Sequence, residues 1–192
     1  MQTYHYSHRI TDARDEFFPA FWEIYDESFP IEEKRVLQDF GDELKDPLCH
    51  CLVYPSADGN GLDAILCYWE FSECRYVEYF AISSKKRHSG IGSELLSAFI
   101  GEDASKPVVL EIEPLSNEKN VRRWHFYERL GFVMNDFEHE YPLYSYDGIG
   151  ELAEHVVVLS HGRRLSAEEC NCFISDTEAA EERYSHSLCK KN

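Results

Sequence analysis

The segment from residue 78 to residue 100 combines a carboxylate, cations and glycines at spacings that suit chemistry on an anionic ligand. Three consecutive cations, residues 85–87, precede a loop that contains Gly90 and Gly92 and runs directly into an apolar-faced helix. Glycines let a ligand come close to the backbone, and the first turn of a helix offers N–H groups and a positive dipole. The segment therefore predicts a phosphate or pyrophosphate site, with a simple turn before a helix as the alternative.

The residues before this loop, 75–83, predict a β-strand that is covered on both faces. Strict alternation divides it into two faces, with Tyr76, Glu78, Phe80 and Ile82 on one and Val77, Tyr79 and Ala81 on the other. Glu78 is the only carboxylate among them, and a buried carboxylate is either costly or useful. It is interpreted as a functional acid–base group or as a structural group that hydrogen-bonds nearby backbone.

The elements around this core alternate in a way that predicts a mixed α/β (α+β) sheet flanked by helices. Strand patterns cover residues 3–10, 49–54, 62–71, 75–83, 106–114, 132–135 and 155–160. Helix patterns cover residues 12–26, 32–40, 91–100 and 117–130, and a capping box of Ser166 and Glu169 begins another. A strand–helix–strand connection predicts that strands 75–83 and 106–114 are parallel. Residues 140–150 are interpreted as a long connection, a kind that is often functional.

Composition restricts the partners. The chain of 192 residues is long enough for one domain with a core, and its formal net charge of −17 argues against binding nucleic acid or anionic membranes. The charge suits a cationic partner, or it serves solubility alone. No run resembles a signal peptide or approaches the ~20 apolar residues that span a bilayer, so a cytoplasmic protein is expected. Seven cysteines, an odd number, predict free thiols in that compartment.

Two sequence blocks carry a resemblance to a known family. Arg87-x-x-Gly90-x-Gly92, after a strand and at the start of a helix, resembles the acyl-coenzyme A pyrophosphate loop of the GNAT superfamily of N-acyltransferases. Residues 120–132, NVRRWHFYERLGF, are similar to the family's Asn-x-x-Ala-x-x-Phe-Tyr-x-x-x-Gly-Phe helix. Arg123 stands where the family usually has alanine. The resemblance covers roughly residues 1–160 and leaves the C-terminal segment outside.

This resemblance implies a single GNAT-like domain, residues 1–165, followed by a C-terminal helical or polar extension, residues 166–192. It implies a six- to seven-stranded sheet whose central parallel strands splay apart around the pantetheine arm of the coenzyme. The implied activity is direct transfer of an acetyl group from acetyl-coenzyme A to an amine. In that mechanism Glu78 is the base, acting through a water in apolar surroundings that raise its pKa, and Tyr127 protonates the leaving thiolate.

The resemblance also assigns binding residues. Those expected to hold acetyl-coenzyme A are Ala81, Ile82, Arg87, His88, Ser89, Gly90, Ile91, Gly92, Ser93, Asn120 and Arg129. Those expected to contact the acceptor are Trp22, Tyr25, Phe29, Glu111, Glu113, Tyr141 and Tyr144. Packed core aromatics and a solvated strand face are the alternatives for this second set. The expected acceptor is a small cationic amine or a peptide, and the chain is expected to be a monomer or a homodimer.

Three other functions compete with this interpretation. Cys49-x-Cys51 and Cys170-x-Cys172 could supply zinc ligands, but they lack the usual Cys-x-x-Cys spacing, and no metal is expected. A cysteine nucleophile lacks a sequence signature for its histidine partner. A non-catalytic acyl-coenzyme A sensor on the same fold remains open, and the presence of both Glu78 and Tyr127 favours the enzyme.

Overall fold

The computed structural model of the protein describes residues 7–143 and 152–184. Its strands are β1 (His8–Ile10), β2 (Cys49–Pro55), β3 (Leu62–Glu70), β4 (Arg75–Ile82), β5 (Val108–Ile112), β6 (Phe132–Met134), β7 (His139–Leu143) and β8 (Leu152–His161). Its α-helices are α1 (Phe18–Ser28), α2 (Leu37–Glu43), α3 (Ile91–Glu102), α4 (Glu118–Arg129) and α5 (Ala167–Tyr184). None of these helices is long and apolar enough to cross a membrane.

The strands form one mixed sheet in the order β1-β2-β3-β4-β5-β8-β6, and β7 pairs with β8 beside this path. The first four strands are antiparallel, and β4 and β5 are parallel, as the sequence predicts. The described residues contain eight strands instead of six or seven. The additional strand is β7, which falls on part of the stretch 140–150 that sequence patterns interpret as a connection; residues 144–150 lie outside the described residues.

The parallel pair at the centre of the sheet diverges. Backbone pairing of β4 with β5 runs only from Arg75 opposite Val108 to Val77 opposite Leu110. β4 continues to Ile82, and β5 continues to Ile112 while pairing with β8 on its other side. The two strands therefore separate after Val77, and a cleft opens between them.

A β-bulge at Glu78 changes the faces of β4. The β3–β4 register passes from Cys67 opposite Tyr79 to Tyr68 opposite Val77, so Glu78 is an extra residue. The expected alternation is therefore wrong beyond this point. After the bulge the residues of β4 face the side opposite to the one expected. One side of the sheet carries Tyr76, Glu78, Tyr79 and Ala81, and the other side carries Val77, Phe80 and Ile82.

Helices cover both faces of the sheet. On one face, α1, α2 and α5 pack into an aromatic core that includes Tyr25, Phe40, Trp69 and Phe173. On the other face, α3 and α4 pack on a second core that includes Phe99. The capping box of α5 forms as predicted, with Ser166 N donating to Glu169 Oε2 at 2.7 Å. Because Phe173 and Ala180 of α5 belong to the first core, the C-terminal helix is packed against the sheet.

The first two helices lie later in the chain than the sequence predicts. α1 begins at Phe18, with Pro19 in its first turn, where a missing N–H costs nothing. The preceding residues form turns that the Asp12 and Asp15 carboxylates stabilise by accepting from backbone N–H groups. A short 3₁₀ turn, Ile31–Glu33, and an extended link precede α2. This link carries Arg35 into the interior, where it is 1% exposed.

Candidate active site

The cleft between β4 and β5 is a cavity of about 630 Å³. It lies where the pairing of the two strands ends, so the splay of the sheet creates it. Nine of the residues predicted from sequence line it, namely Phe29, Glu78, Ala81, Ile82, Arg87, Glu111, Glu113, Tyr127 and Tyr141. The two residues predicted for acid–base roles, Glu78 and Tyr127, are therefore brought to one cavity from β4 and from α4.

Trp22, Tyr25, Asn120 and Arg129 do not line this cavity. Tyr25 is fully buried, and its hydroxyl accepts from Arg35 N at 3.0 Å; Trp22 packs beside it. The Asn120 amide donates to Pro114 O at 2.8 Å and so ties the start of α4 to the end of β5. Arg129 is exposed at the end of α4. Tyr144 lies outside the described residues.

Glu78 lies in a charged environment, and the expectation of apolar surroundings is wrong. Its Oε1 accepts from Arg35 Nη2 at 3.0 Å, and its Oε2 accepts from Trp69 Nε1 at 2.7 Å. The Glu78 side chain is only 2% exposed. Burial raises the pKa of this carboxyl above its usual value, and the Arg35 charge opposes that shift.

Arg35 joins three carboxylates. Its Nε lies 2.5 Å from Glu43 Oε2, and its Nη2 also donates to Glu181 Oε1 at 2.7 Å. We refer to Arg35, Glu43, Glu78 and Glu181 as the Arg35 cluster. Burial raises the pKa of Glu43 well above 4.5, with Arg35 again opposing the shift. Sequence analysis missed Arg35 because an Ile-Glu-Glu-Lys-Arg run is typical of a solvated helix surface.

Tyr127 lies on α4 with its ring packed edge-to-face on Phe126 and Phe132, at centroid distances of 5.1 and 5.6 Å. Burial raises the pKa of its phenol to about 12, and the Arg123 charge partly offsets this effect. The phenol is therefore protonated at neutral pH. Arg123 also lines the cavity and forms an ion pair with Glu113, and Lys119 adds a further cation to the same wall.

The glycine loop opens α3 as the sequence predicts. Gly90 is the N-cap residue with φ of 88°, a left-handed conformation that favours glycine, and no side chain caps the helix there. A Cβ at Gly92 would lie 3.4 Å from Ile82 Cγ1, so this glycine permits close packing of the helix on β4. His88 also has a positive φ, 64°. Residues 87–90 are exposed, and the helix N-terminus is open to an anion.

A second chamber of about 740 Å³ lies between β7, β8 and α5. It shares Tyr76, Glu111 and Tyr141 with the cleft, so the two cavities adjoin there. Glu111 is held at this junction, since Tyr76 donates to its Oε2 at 2.8 Å and His139 Nε2 lies 2.8 Å from its Oε1. Further carboxylates line the chamber, namely Glu138, Glu140, Glu178, Glu181 and Glu182.

The two Cys-x-Cys pairs lie on different elements. Cys49 and Cys51 are buried in β2, whereas Cys170 and Cys172 lie on α5, and all four are free thiols. Among the described residues, no group of three or more His, Cys, Asp or Glu side chains is arranged to hold a metal ion. Burial also raises the pKa of Cys51, which makes a thiolate nucleophile costly there.

The diverging parallel strands, the glycine loop at a helix start and the cleft between them define an acyltransferase-type fold. Residues 14–132 match the model of the acetyltransferase (GNAT) family, and the chain belongs to that family. The match begins just before α1 and ends at Phe132, the first residue of β6, so it includes both Glu78 and Tyr127 but not α5.

Individual relatives agree with this assignment. The chain is 29% identical over 114 residues to "Putative acetyltransferase YjbC" of Bacillus subtilis (strain 168), an alignment that covers 58% of this chain and 56% of that protein. A GNAT-family structure from Bacteroides thetaiotaomicron superposes with a TM-score of 0.74 and 26% identity over 97% of this chain and 99% of its own. The ribosomal-protein-S18-alanine N-acetyltransferase of Escherichia coli shares the fold, with a TM-score of 0.58 and 16% identity over 85% of this chain and 96% of its own.

Proposed function

We propose that the protein transfers an acetyl group from acetyl-coenzyme A directly to a primary amine, with Glu78 as base through a water and Tyr127 as acid. The observation that carries this proposal is the meeting of Glu78 and Tyr127 in one cavity at the splay of β4 and β5. A base and an acid that line the same cleft can act in one reaction, the base on the attacking amine and the acid on the leaving thiolate.

The residues present fit acetyl-coenzyme A. The open N-terminus of α3, with Gly90 and Gly92, suits the pyrophosphate, and Arg87 adds a cation at the cavity wall. The edge of β4 beyond Val77 is released from β5, so backbone groups at Ala81 and Ile82 can pair with the amides of the pantetheine arm. Lys119 and Arg123 also line the cleft and add positive charge for an anionic ligand. The thioester supplies the activated acetyl group.

The proton balance follows from the two residues. An alkylammonium has a pKa near ~10 and must lose a proton before its nitrogen can attack. Glu78, its pKa raised by burial, accepts that proton through a water. The nitrogen then forms a bond to the carbonyl carbon, the C–S bond breaks, and the nitrogen loses its second proton to solvent. Tyr127 gives its proton to the leaving thiolate and regains one from solvent.

The acceptor is proposed to be cationic. The second chamber meets the cleft at Glu111, and the described residues that line it include six glutamates and two histidines but neither lysine nor arginine. Trp69 and Tyr76 add aromatic faces that suit an ammonium group. A net charge of −17 attracts such an acceptor over longer distances. A linear amine with a second positive group, or a basic peptide end, would match this arrangement.

A thiol-release assay tests the proposal. Acetyl-coenzyme A is offered with diamines, polyamines, aminoglycosides, amino acids and basic peptides, while calorimetry measures its binding without an acceptor. We expect binding and turnover with a cationic amine class. Binding without turnover in the whole panel would favour the non-catalytic sensor, and absence of binding would contradict the proposed coenzyme site.

A further inference from the structure

We propose that the C-terminal helix α5 is a working part of the site, because Glu181 positions Arg35 and through it sets the pH range in which Glu78 accepts a proton. This inference rests on the proposed function. It assigns positioning roles to Arg35 and Glu181, which act through Glu78.

The contacts connect α5 directly to Glu78. Glu181 accepts from both terminal nitrogens of Arg35, with Oε1 2.7 Å from Nη2 and Oε2 3.1 Å from Nη1. The same Nη2 donates to Glu78 Oε1 at 3.0 Å. A bidentate pair fixes the plane of the guanidinium. Glu181 therefore determines the direction in which Arg35 presents its hydrogen to Glu78.

The charges of the Arg35 cluster do not balance if every carboxyl is ionised. Within these four described residues one guanidinium faces three carboxylates, and the side chains of Arg35, Glu43 and Glu78 are 1%, 1% and 2% exposed. Uncompensated buried charge is costly, so the cluster favours a bound proton. Glu181 is 20% exposed and contributes a negative charge from the rim. The negative charge of Glu181 favours a bound proton on the buried carboxyls of Glu43 and Glu78. Because these carboxyls interact, their protonation is a property of the whole cluster and not of one residue.

The groups that face Glu78 come from several elements. Among the described residues they are Arg35 of the link before α2, Glu43 of α2, Trp69 of β3 and Glu181 of α5. The buried phenols and thiols nearby are Tyr25, Tyr76, Tyr141, Cys49, Cys51 and Cys67. Burial raises the pKa of each of these phenols and of the Cys67 thiol, so they remain neutral near pH 7. Changes of charge in this region near neutral pH therefore come from the carboxyls.

The helix α5 lies outside the part of the chain that the family model matches. The family match ends at residue 132, whereas Glu181 lies near the end of α5. The helix is fixed at its start by the Ser166–Glu169 capping box and along its length by Phe173 in the core. Glu181 also lines the second chamber, so it lies between Arg35 and the space proposed for the acceptor.

The test is the pH profile of kcat/KM for Glu181→Gln, compared with Glu168→Gln. Glu168 is an exposed glutamate at the start of the same helix and lines neither cavity. Glu78 and Glu181 both accept from Arg35 Nη2, so removing the Glu181 charge is expected to move the acidic limb to lower pH by on the order of one unit. Glu168→Gln is expected to leave the limb in place. A uniform loss of rate without a shift in Glu181→Gln would overturn the proposal.

A second measurement separates this proposal from the proposed function. Infrared titration of the carboxyl C=O stretch, without coenzyme or amine, reports protonated buried carboxyls whether or not turnover occurs. We expect a protonated buried carboxyl at neutral pH in the wild-type protein. In Glu181→Gln the same carboxyl is expected to lose its proton at a lower pH than in the wild type. If no amine is acetylated but this titration behaves as expected, only the proposed function fails. A wild-type protein without a protonated buried carboxyl at neutral pH would overturn the role of the cluster, even if Glu181→Gln did not fold.

Discussion

Arg35 and Glu78 form a buried ion pair, with 3.0 Å between Nη2 and Oε1 and with side chains that are 1% and 2% exposed. The pair attaches the candidate base to a residue that lies 43 positions earlier in the chain. Trp69 holds the second oxygen at 2.7 Å, so the carboxyl has a fixed orientation in the cleft. A base that is held in this way loses little freedom on proton transfer.

Replacing Glu78 by Gln is expected to lower kcat/KM by about 10²–10⁴-fold, the usual contribution of a general base. Glutamine keeps the shape and one acceptor for Trp69, so the fold and the affinity for acetyl-coenzyme A should change little. Steady-state kinetics and calorimetry on the variant check both statements. Glu70→Gln, on the neighbouring strand and paired with Lys106, serves as the control and should keep its rate. Equal rates in Glu78→Gln and wild type would remove Glu78 from the mechanism.

Tyr127→Phe is expected to lower kcat by about 10²-fold, because the leaving thiolate loses its proton donor. The pKa of Tyr127 is raised to about 12, so the wild-type rate should show no alkaline loss from this phenol below about pH 10. Rates measured across the alkaline range test the assignment. The control is Tyr68→Phe, at a half-buried tyrosine that stacks on His50 outside both cavities. A Tyr127→Phe variant with the wild-type rate would show that another group protonates the thiolate.

The raised pKa of Tyr127 also has a consequence for stability. Its neutral form is favoured in the folded state, so the contribution is complete below pH 10 and is lost as pH rises through about 12.

Gly90→Ala is expected to weaken acetyl-coenzyme A binding and to reduce the free energy of unfolding by about 1–2 kcal/mol, because an L-residue at φ of 88° is strained. No atom lies within 4 Å of the added Cβ, so the effect comes from the backbone alone. Gly101→Ala is the matched control, since its site in α3 is also open and needs no positive φ. That change should stabilise the protein by about 0.5–1 kcal/mol without altering binding. Unchanged affinity in Gly90→Ala would argue against an anion at this helix start.

Glu43→Gln is expected to flatten the dependence of stability on pH. The pKa of Glu43 is raised in the folded state, so its contribution is complete below 4.5 and is lost as pH rises through the folded value. Removing this carboxyl should make the unfolding free energy fall less steeply as pH rises from 4.5 toward the raised pKa of the folded state. Urea unfolding at several pH values measures the slope, with the exposed Glu16→Gln as control. Parallel curves for Glu43→Gln and wild type would contradict the charge imbalance in the cluster.

The sequence predicted the parts of the fold that local patterns encode. The strand–loop–helix segment, the capping box of α5 and the parallel pairing of β4 with β5 follow from alternation, glycine positions, the Ser166–Glu169 spacing and connection rules. The bulge at Glu78 could not be predicted, because an inserted residue leaves the apolar pattern of the strand almost unchanged. β7 was interpreted as part of a connection because its segment contains a proline and lies beside several tyrosines, residues that are also common in loops.

The site was predictable to the extent that motifs cover it. Glu78, Tyr127 and Arg87 line the cleft as expected, whereas Arg35, His139 and Glu181 have no motif. Their roles arise from tertiary packing, which places a link before α2 and a helix after the sheet beside the same carboxylate. Long-range ion pairs of this kind depend on geometry that single-sequence patterns do not contain.

Direct transfer is the central claim, and isotope-labelled acetyl-coenzyme A tests it in a single turnover. The protein is mixed with labelled coenzyme and with the acceptor that gives turnover, and mass spectrometry follows the label over time. The account predicts that the label appears only on the acceptor amine, at the same rate as free thiol. Label on a protein thiol before it reaches the acceptor would contradict direct transfer, and so would thiol release with no labelled amine.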